Sequence, residues 1–157
     1  MRFRENDVFP LDNSPGYLLN LTVREISVHL ARAFKAGGLE LTPQQWALLA
    51  RLWEKDGQHQ NELAETTTKD RHNVARILAL MERNGMVERR PDPDDRRLQR
   101  VYLTDLGKSL RPRLTAMALE VLEQAFQGVS DQDVRRFRGI CRRVIANSSI
   151  HASAKEE

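Results

Sequence analysis

One cysteine, Cys141, stands among 157 residues, so no disulfide can form within the chain. No stretch reaches the roughly 18 consecutive apolar residues that a membrane span requires. The leading MRFRENDVFPLDNSPG holds no apolar run of signal-peptide length either. The expectation is a cytoplasmic protein without a membrane partner. In that setting the sequons at Asn20–Thr22 and Asn147–Ser149 are chance patterns. Glycine-rich phosphate loops, HExxH and GxSxG are all missing, and the histidines at 29, 59, 72 and 151 are not spaced as metal ligands. His59 and Glu62 could share one helical turn, but two donors make a weak site. No enzyme, metal or cofactor is therefore expected. Internal repeats and low-complexity segments are absent as well.

What is present is chain enough for one ordinary domain, with a formal charge of +3. Residues 69 to 100 alone carry nine basic side chains against six acids. That local excess equals the charge of the whole protein, so everything outside the window is formally neutral. Positive charge concentrated on an otherwise balanced chain points to a polyanion as partner.

Apolar periodicity supplies the elements. Leu19, Val23, Ile26, Leu30 and Phe34 recur at helical spacing until the glycines at 37 and 38 end the run. Leu18, Leu21 and Val28 lie off this stripe, which makes the helix apolar around more of its circumference than one neighbour demands. Thr42, Pro43 and Gln45 form a capping box with proline at the first helical position, opening a second helix that closes at Gly57. A short third helix forms around Leu63 and Ala64. Asp70 caps a fourth, with an apolar set of Val74, Ile77, Leu78, Leu80 and Met81 and a stop at Asn84-Gly85. From 86 to 104 the period becomes two: MVERR and LQRVYLT are strands joined by a proline-bearing loop, with Val101 and Leu103 on one face and Arg100 and Tyr102 on the other. Thr104 caps a fifth helix carrying Leu106, Leu110, Leu114, Met117, Val121 and Ala125. After Gly128 a last helix runs on Val134, Phe137, Ile140 and Val144, and SSIHASAKEE is expected to be frayed.

Three helices followed by a basic hairpin is the winged helix-turn-helix plan, in which one helix enters the major groove and the hairpin reaches the neighbouring groove or phosphates. At this point LAETTTKDRHNVARILALMERNGMVERRPDPDDRRLQRVYLTDLGK resembles the DNA-binding core of the multiple antibiotic resistance regulator (MarR) family of bacterial transcription factors. The flanks, including LTPQQWALLARL and two C-terminal helices, extend the resemblance to residues 15 to 147. It implies a mainly α fold with a small antiparallel β-hairpin. A single domain over 1–157 would hold a winged helix-turn-helix lobe at 42–104 and dimerisation helices at 15–36 and 105–147. One departure is the turn TTTKD, where many relatives carry a glycine and an apolar residue.

Carried over residue by residue, the resemblance places Thr68, Lys69, Arg71, His72, Asn73 and Arg76 at the turn and exposed start of the recognition helix, where family members touch bases and phosphates. The chemistry agrees: Arg can give a bidentate pair to guanine and Asn to adenine. The bland alternative is a solvated helix face. In the wing, the resemblance has Asp95 brace an arginine that enters the minor groove. Arg97 is the first choice and Arg96 the second. A guanidinium held by a carboxylate loses less rotamer freedom on binding, and Pro91 and Pro93 restrict the loop further. Asp92 and Asp94 have no such part in this reading; they only temper non-specific attraction to DNA. The alternative is an exposed turn whose charge pairs are worth little.

DNA readers of this type act as twofold dimers on near-palindromic duplex sites. The first helix and the last two supply surplus apolar surface for a homodimer, with Leu19, Val23, Ile26, Leu114, Met117, Val121, Phe137 and Val144 prominent; the plainer reading is an intramolecular core, which some of them serve as well. Similar proteins are repressors that release DNA on binding a small aromatic or anionic effector, and His29, Arg32 and Trp46 could lie near such a crevice. Each has a plainer reading as a core histidine, a surface arginine or a packed indole. Cys141, beside Ile140 and Val144, is expected to be buried, which argues against redox control. The rival function is a winged-helix dimer whose basic wing binds an acidic protein without specific DNA readout.

Overall fold

The computed structural model describes residues 11–67 and 71–153. After a short 3-10 turn at Leu11–Asn13, the elements run α1 (Pro15–Ala36), α2 (Pro43–Glu54), β1 (Gln58–His59), α3 (Gln60–Thr67), α4 (Arg71–Arg83), β2 (Val87–Pro91), β3 (Gln99–Leu103), α5 (Asp105–Ser109), α6 (Arg111–Ala125) and α7 (Asp131–Ser153). The chain divides after Val121 into two compact units.

In the first unit the expected caps set the helix boundaries. Thr42 Oγ1 accepts from the Gln45 amide at 3.2 Å, while Gln45 Oε1 accepts from the Thr42 amide at 2.9 Å, so α2 opens on a complete capping box. Its other end is closed by a buried side chain. Gln58 donates from Nε2 to the carbonyls of Arg51 (2.8 Å) and Lys55 (2.7 Å), which satisfies helix-end acceptors that would otherwise lack partners. Phe34 of α1, Leu48, Leu49 and Leu52 of α2, Leu63 of α3, Val74, Leu78 and Met81 of α4, and Leu114 of α6 close around a single core.

The sheet is antiparallel, in the order β1-β3-β2. It has one strand more than the expected hairpin, because Gln58 and His59 pair with Val101 and Arg100. Two residues carry too little periodicity to announce a strand. β2 and β3 pair in the register Val87↔Leu103, Arg89↔Val101 and Pro91↔Gln99. Val87, Val101 and Leu103 bury on the core face as alternation predicts.

Three expectations need correction. The fifth helix is two, α5 and α6, interrupted at Leu110. Pro112 has no N–H to offer the carbonyl four residues back, and its ring crowds that carbonyl, so a regular helix cannot run through. Leu106, assigned to the apolar stripe, is correspondingly exposed, as is Leu80 on α4. Finally, α7 runs on to Ser153, so residues 148 to 153 are helical and not frayed, while the rest of the expected frayed end, 154 to 157, lies outside the described residues.

The second unit contains the end of α6 and all of α7. Ser130 Oγ accepts from the Asp133 amide at 3.1 Å and starts α7. Phe126 and Phe137 pack with ring centroids 6.2 Å apart. Ile140, Val144 and Ile145 are about half exposed or more, and Cys141 is only partly covered, so the burial expected for the cysteine is not provided within one chain. Among the described residues no helix is long and apolar enough to cross a membrane.

Candidate nucleic-acid interface

Two elements of the first unit carry the candidate residues. On α4, Val74, Leu78 and Met81 are fully buried, which turns the opposite face outward. Arg71 is the first residue of the helix. His72 and Arg76 are exposed and Asn73 is half-buried, all at the N-terminal end. Arg76 Nη2 donates to Asn73 Oδ1 at 3.2 Å, so the two base-reading candidates hold each other in the absence of DNA. Thr68 and Lys69, and the expected cap Asp70, lie outside the described residues.

The wing is the loop 92–98 between β2 and β3. Asp95 grips Arg97 at three points. Oδ1 accepts from the backbone amide and from Nε, each at 3.0 Å, and Oδ2 accepts from Nη2 at 3.0 Å. The Arg97 side chain is nonetheless 90% exposed, so it is oriented without being covered. The hydrogen bond from Arg97 holds the Asp95 carboxyl below its ordinary range, and its return effect raises Arg97. Arg96 is exposed beside it. Arg90 pairs with Glu88 and lies over the Tyr102 ring at 4.9 Å from the centroid.

The sequence reading missed two anchors beneath this surface. Asp92 is 3% exposed, the least accessible charged side chain among the described residues. Oδ1 accepts from the amides of Asp94 (2.8 Å) and Asp95 (3.1 Å), while Oδ2 accepts from Arg100 Nε and lies 3.4 Å from His59 Nε2. These bonds, led by that from the Asp94 amide, hold its carboxyl low against the opposing cost of burial. The second anchor is Glu82, near the end of α4. It accepts from the Arg89 amide at 2.9 Å, from Nε at 3.0 Å and from Nη2 at 2.7 Å, and so fastens β2 to the recognition helix. A signal for Asp92 was available: aspartate commonly bonds the amide two residues on, and Pro93 stiffens that turn.

The proposed effector residues lie apart from the cavities bounded by the described residues. His29 and Arg32 are exposed on α1, whereas Trp46 is half-buried against the core with its indole Nε1 covered and unpaired among the described residues. Among the described residues, the two larger open cavities lie elsewhere. One of about 470 Å³ sits between the start of α2 and α4, bounded by Thr42, Gln44, Asn73, Arg76, Ile77 and Leu80. The other, about 420 Å³, extends from Thr42 and Gln45 towards Ala31, Lys35 and Asn84. Neither is lined by His29, Arg32 or Trp46.

An arginine-bearing wing next to an exposed helix face matches the geometry of duplex readers, and comparison with known proteins agrees. The MarR family model matches residues 41–98. The HTH-type transcriptional regulator YybA of Bacillus subtilis (strain 168) is 28% identical over 135 residues, covering 82% of this chain and 89% of YybA. Among solved structures, a probable transcriptional regulator from Pseudomonas aeruginosa superposes with a TM-score of 0.76 at 30% identity, over 85% of this chain and 98% of that one. The PcaV transcriptional regulator from Streptomyces coelicolor, solved in complex with its natural ligand, superposes with a TM-score of 0.77 at 22% identity, over 90% of this chain and 99% of PcaV.

Proposed function

Since the chain belongs to the MarR family of transcriptional regulators, we propose that it acts as a homodimeric repressor released from a near-palindromic operator by a small effector. It is a DNA-binding regulator and not an enzyme. The observation that carries the finer reading is the Asp95–Arg97 pair, an arginine side chain fixed by a chelating carboxylate yet 90% exposed. Arg97 enters the minor groove, while Arg71, His72, Asn73 and Arg76 on α4 meet the major groove, with Thr68, Lys69 and Arg96 contacting phosphate.

The dimer covers surface that one chain leaves open. Val23 on α1 is 64% exposed, and on α7 Phe137, Ile140 and Val144 form an uncovered stripe at helical spacing. A second copy burying both would set the two recognition helices on successive major grooves, with half-sites about 10 bp apart. In this reading residues 15–36 and 105–147 are the dimerisation helices and 42–104 the DNA-binding lobe.

For the effector, PcaV supplies a precedent of ligand binding within the same fold. Trp46 is the candidate contact: it lines neither cavity, and its covered, unpaired indole N–H would have to be opened before it donated to a carboxylate or carbonyl of an aromatic acid. Arg32, exposed on α1, supplies positive charge, and His29 on the same helix a further hydrogen-bonding group. Release requires only that the ligand prefer a spacing of the recognition helices unsuited to the groove.

Titration of duplex operator with wild-type protein and Arg97→Ala at several salt concentrations tests the reading. The expected result is a large loss of affinity in the variant with the dimer intact, and a log–log salt slope smaller by about 2, since each protomer of the dimer loses one cationic contact. Equal affinity and equal slope would take the wing out of DNA recognition and favour a protein-contact role.

A further inference from the structure

A carboxylate buried beneath a surface that meets a polyanion works against binding unless it contributes something else. Asp92 lies in that position, at the base of the wing. Its two oxygens have separate tasks. Oδ1 gathers the amides of Asp94 and Asp95, closing the first turn of the loop and fixing the backbone of Asp95, the residue whose side chain grips Arg97. Oδ2 receives Arg100 Nε from β3 and faces His59 Nε2 of β1 at 3.4 Å. Arg100 in turn donates from Nη1 to the Gly57 carbonyl at 3.1 Å. A chain of contacts thus leads from the α2–β1 connection through Arg100 and Asp92 to Asp95 and then to the exposed guanidinium.

We propose that Asp92 is the positioning residue of the wing: it locks the loop to β1 and β3 so that the Asp95–Arg97 pair is presented in one orientation before DNA arrives. The inference rests on Arg97 being the wing's DNA contact. The binding geometry is then pre-organised by two carboxylates in series, Asp95 acting on the side chain and Asp92 on the backbone that carries it. Simple electrostatics predicts the opposite sign, because removing a negative charge near phosphate should tighten binding.

Asp92→Asn separates the two accounts. Asparagine can keep Oδ1 as acceptor for the two amides, but its NH2 would face Arg100 Nε donor to donor, which breaks the lock to β3 and β1. Duplex operator is titrated with wild-type protein, Asp92→Asn, Arg97→Ala and the double variant, with dimerisation and circular dichroism recorded for each. Asp92→Asn should bind roughly thirty- to nine-hundred-fold more weakly, as expected if one backbone residue in each of the dimer's two wings must be re-fixed on binding. In the Arg97→Ala background its effect should fall below about twofold, the ordinary error of additivity. A merely structural role would penalise both backgrounds alike. Tighter or unchanged binding by Asp92→Asn, or an equal loss in both backgrounds, overturns the proposal. No loss on Arg97→Ala alone instead overturns the wing reading beneath it. Should Asp92→Asn fold poorly, Arg100→Gln, which leaves the amide-gathering carboxylate in place, is put through the same cycle and must show the same coupling to Arg97.

Discussion

Glu82→Gln removes one charge and preserves the shape of the joint between α4 and β2. In the wild type this carboxylate accepts three hydrogen bonds from Arg89, at 2.7 to 3.0 Å. Charge-assisted bonds of this type contribute about 1.5 to 3 kcal/mol. The two side chains are 35% and 29% exposed, so solvent screening reduces the expected loss to about 1 to 2 kcal/mol. For a chain of this length that lowers Tm by about 3 to 6 °C. The pH dependence is more diagnostic. Arg89's hydrogen bonds hold the Glu82 carboxyl below its ordinary range in the folded protein. A depressed folded-state pKa gives stability that is fully present above the unfolded value and lost as pH falls through the folded one. Urea unfolding at fixed protein concentration should therefore show wild type more stable than Glu82→Gln at pH 7, with the gap closing on acidification below about pH 4. A gap that is absent at pH 7, or that persists unchanged in acid, would refute the reasoning.

Three further outcomes follow from particular contacts. Asp95→Ala should weaken operator binding roughly five- to 150-fold, the cost of re-ordering one long side chain in each wing of the dimer, although it deletes a negative charge near DNA; tighter binding in the same titration would remove the bracing argument. Gly107→Ala would set a Cβ 2.1 Å from the Met86 backbone carbonyl, so the unfolding midpoint should drop by an amount worth about 1 to 3 kcal/mol; an unaltered midpoint would contradict that close approach. Val144→Asp, on the uncovered stripe of α7, should yield monomers by sedimentation and lose operator affinity, whereas a stable dimer would place the interface elsewhere.

Much of the fold is legible in the sequence, because short-range rules decide it. The capping box at Thr42, the stop at Gly85 and the alternation through Val101 and Leu103 each involve residues a few positions apart. What escaped depends on partners distant in sequence or on a single missing donor. β1 is two residues long and exists because β3 offers it an edge. The break at Leu110 turns on one proline, and the exposure of Leu80 reflects which face of α4 the core occupies. In the site the Asp95–Arg97 contact was expected from the family resemblance and not from spacing, and the structure shows that pair. Asp92 was passed over because Arg100 lies eight residues on, and only the hairpin register brings the two together. Glu82 and Arg89, seven apart across a helix end and a turn, escaped for the same reason.

The central claim, a sequence-specific dimeric DNA reader, is tested most directly by letting the purified protein select from random duplex DNA and then titrating the most enriched sequence at several salt concentrations. The account predicts a near-palindrome with half-sites about 10 bp apart and an affinity that falls steeply with salt. No enrichment, with weak binding at every salt concentration, would contradict it and move the basic wing to a protein partner.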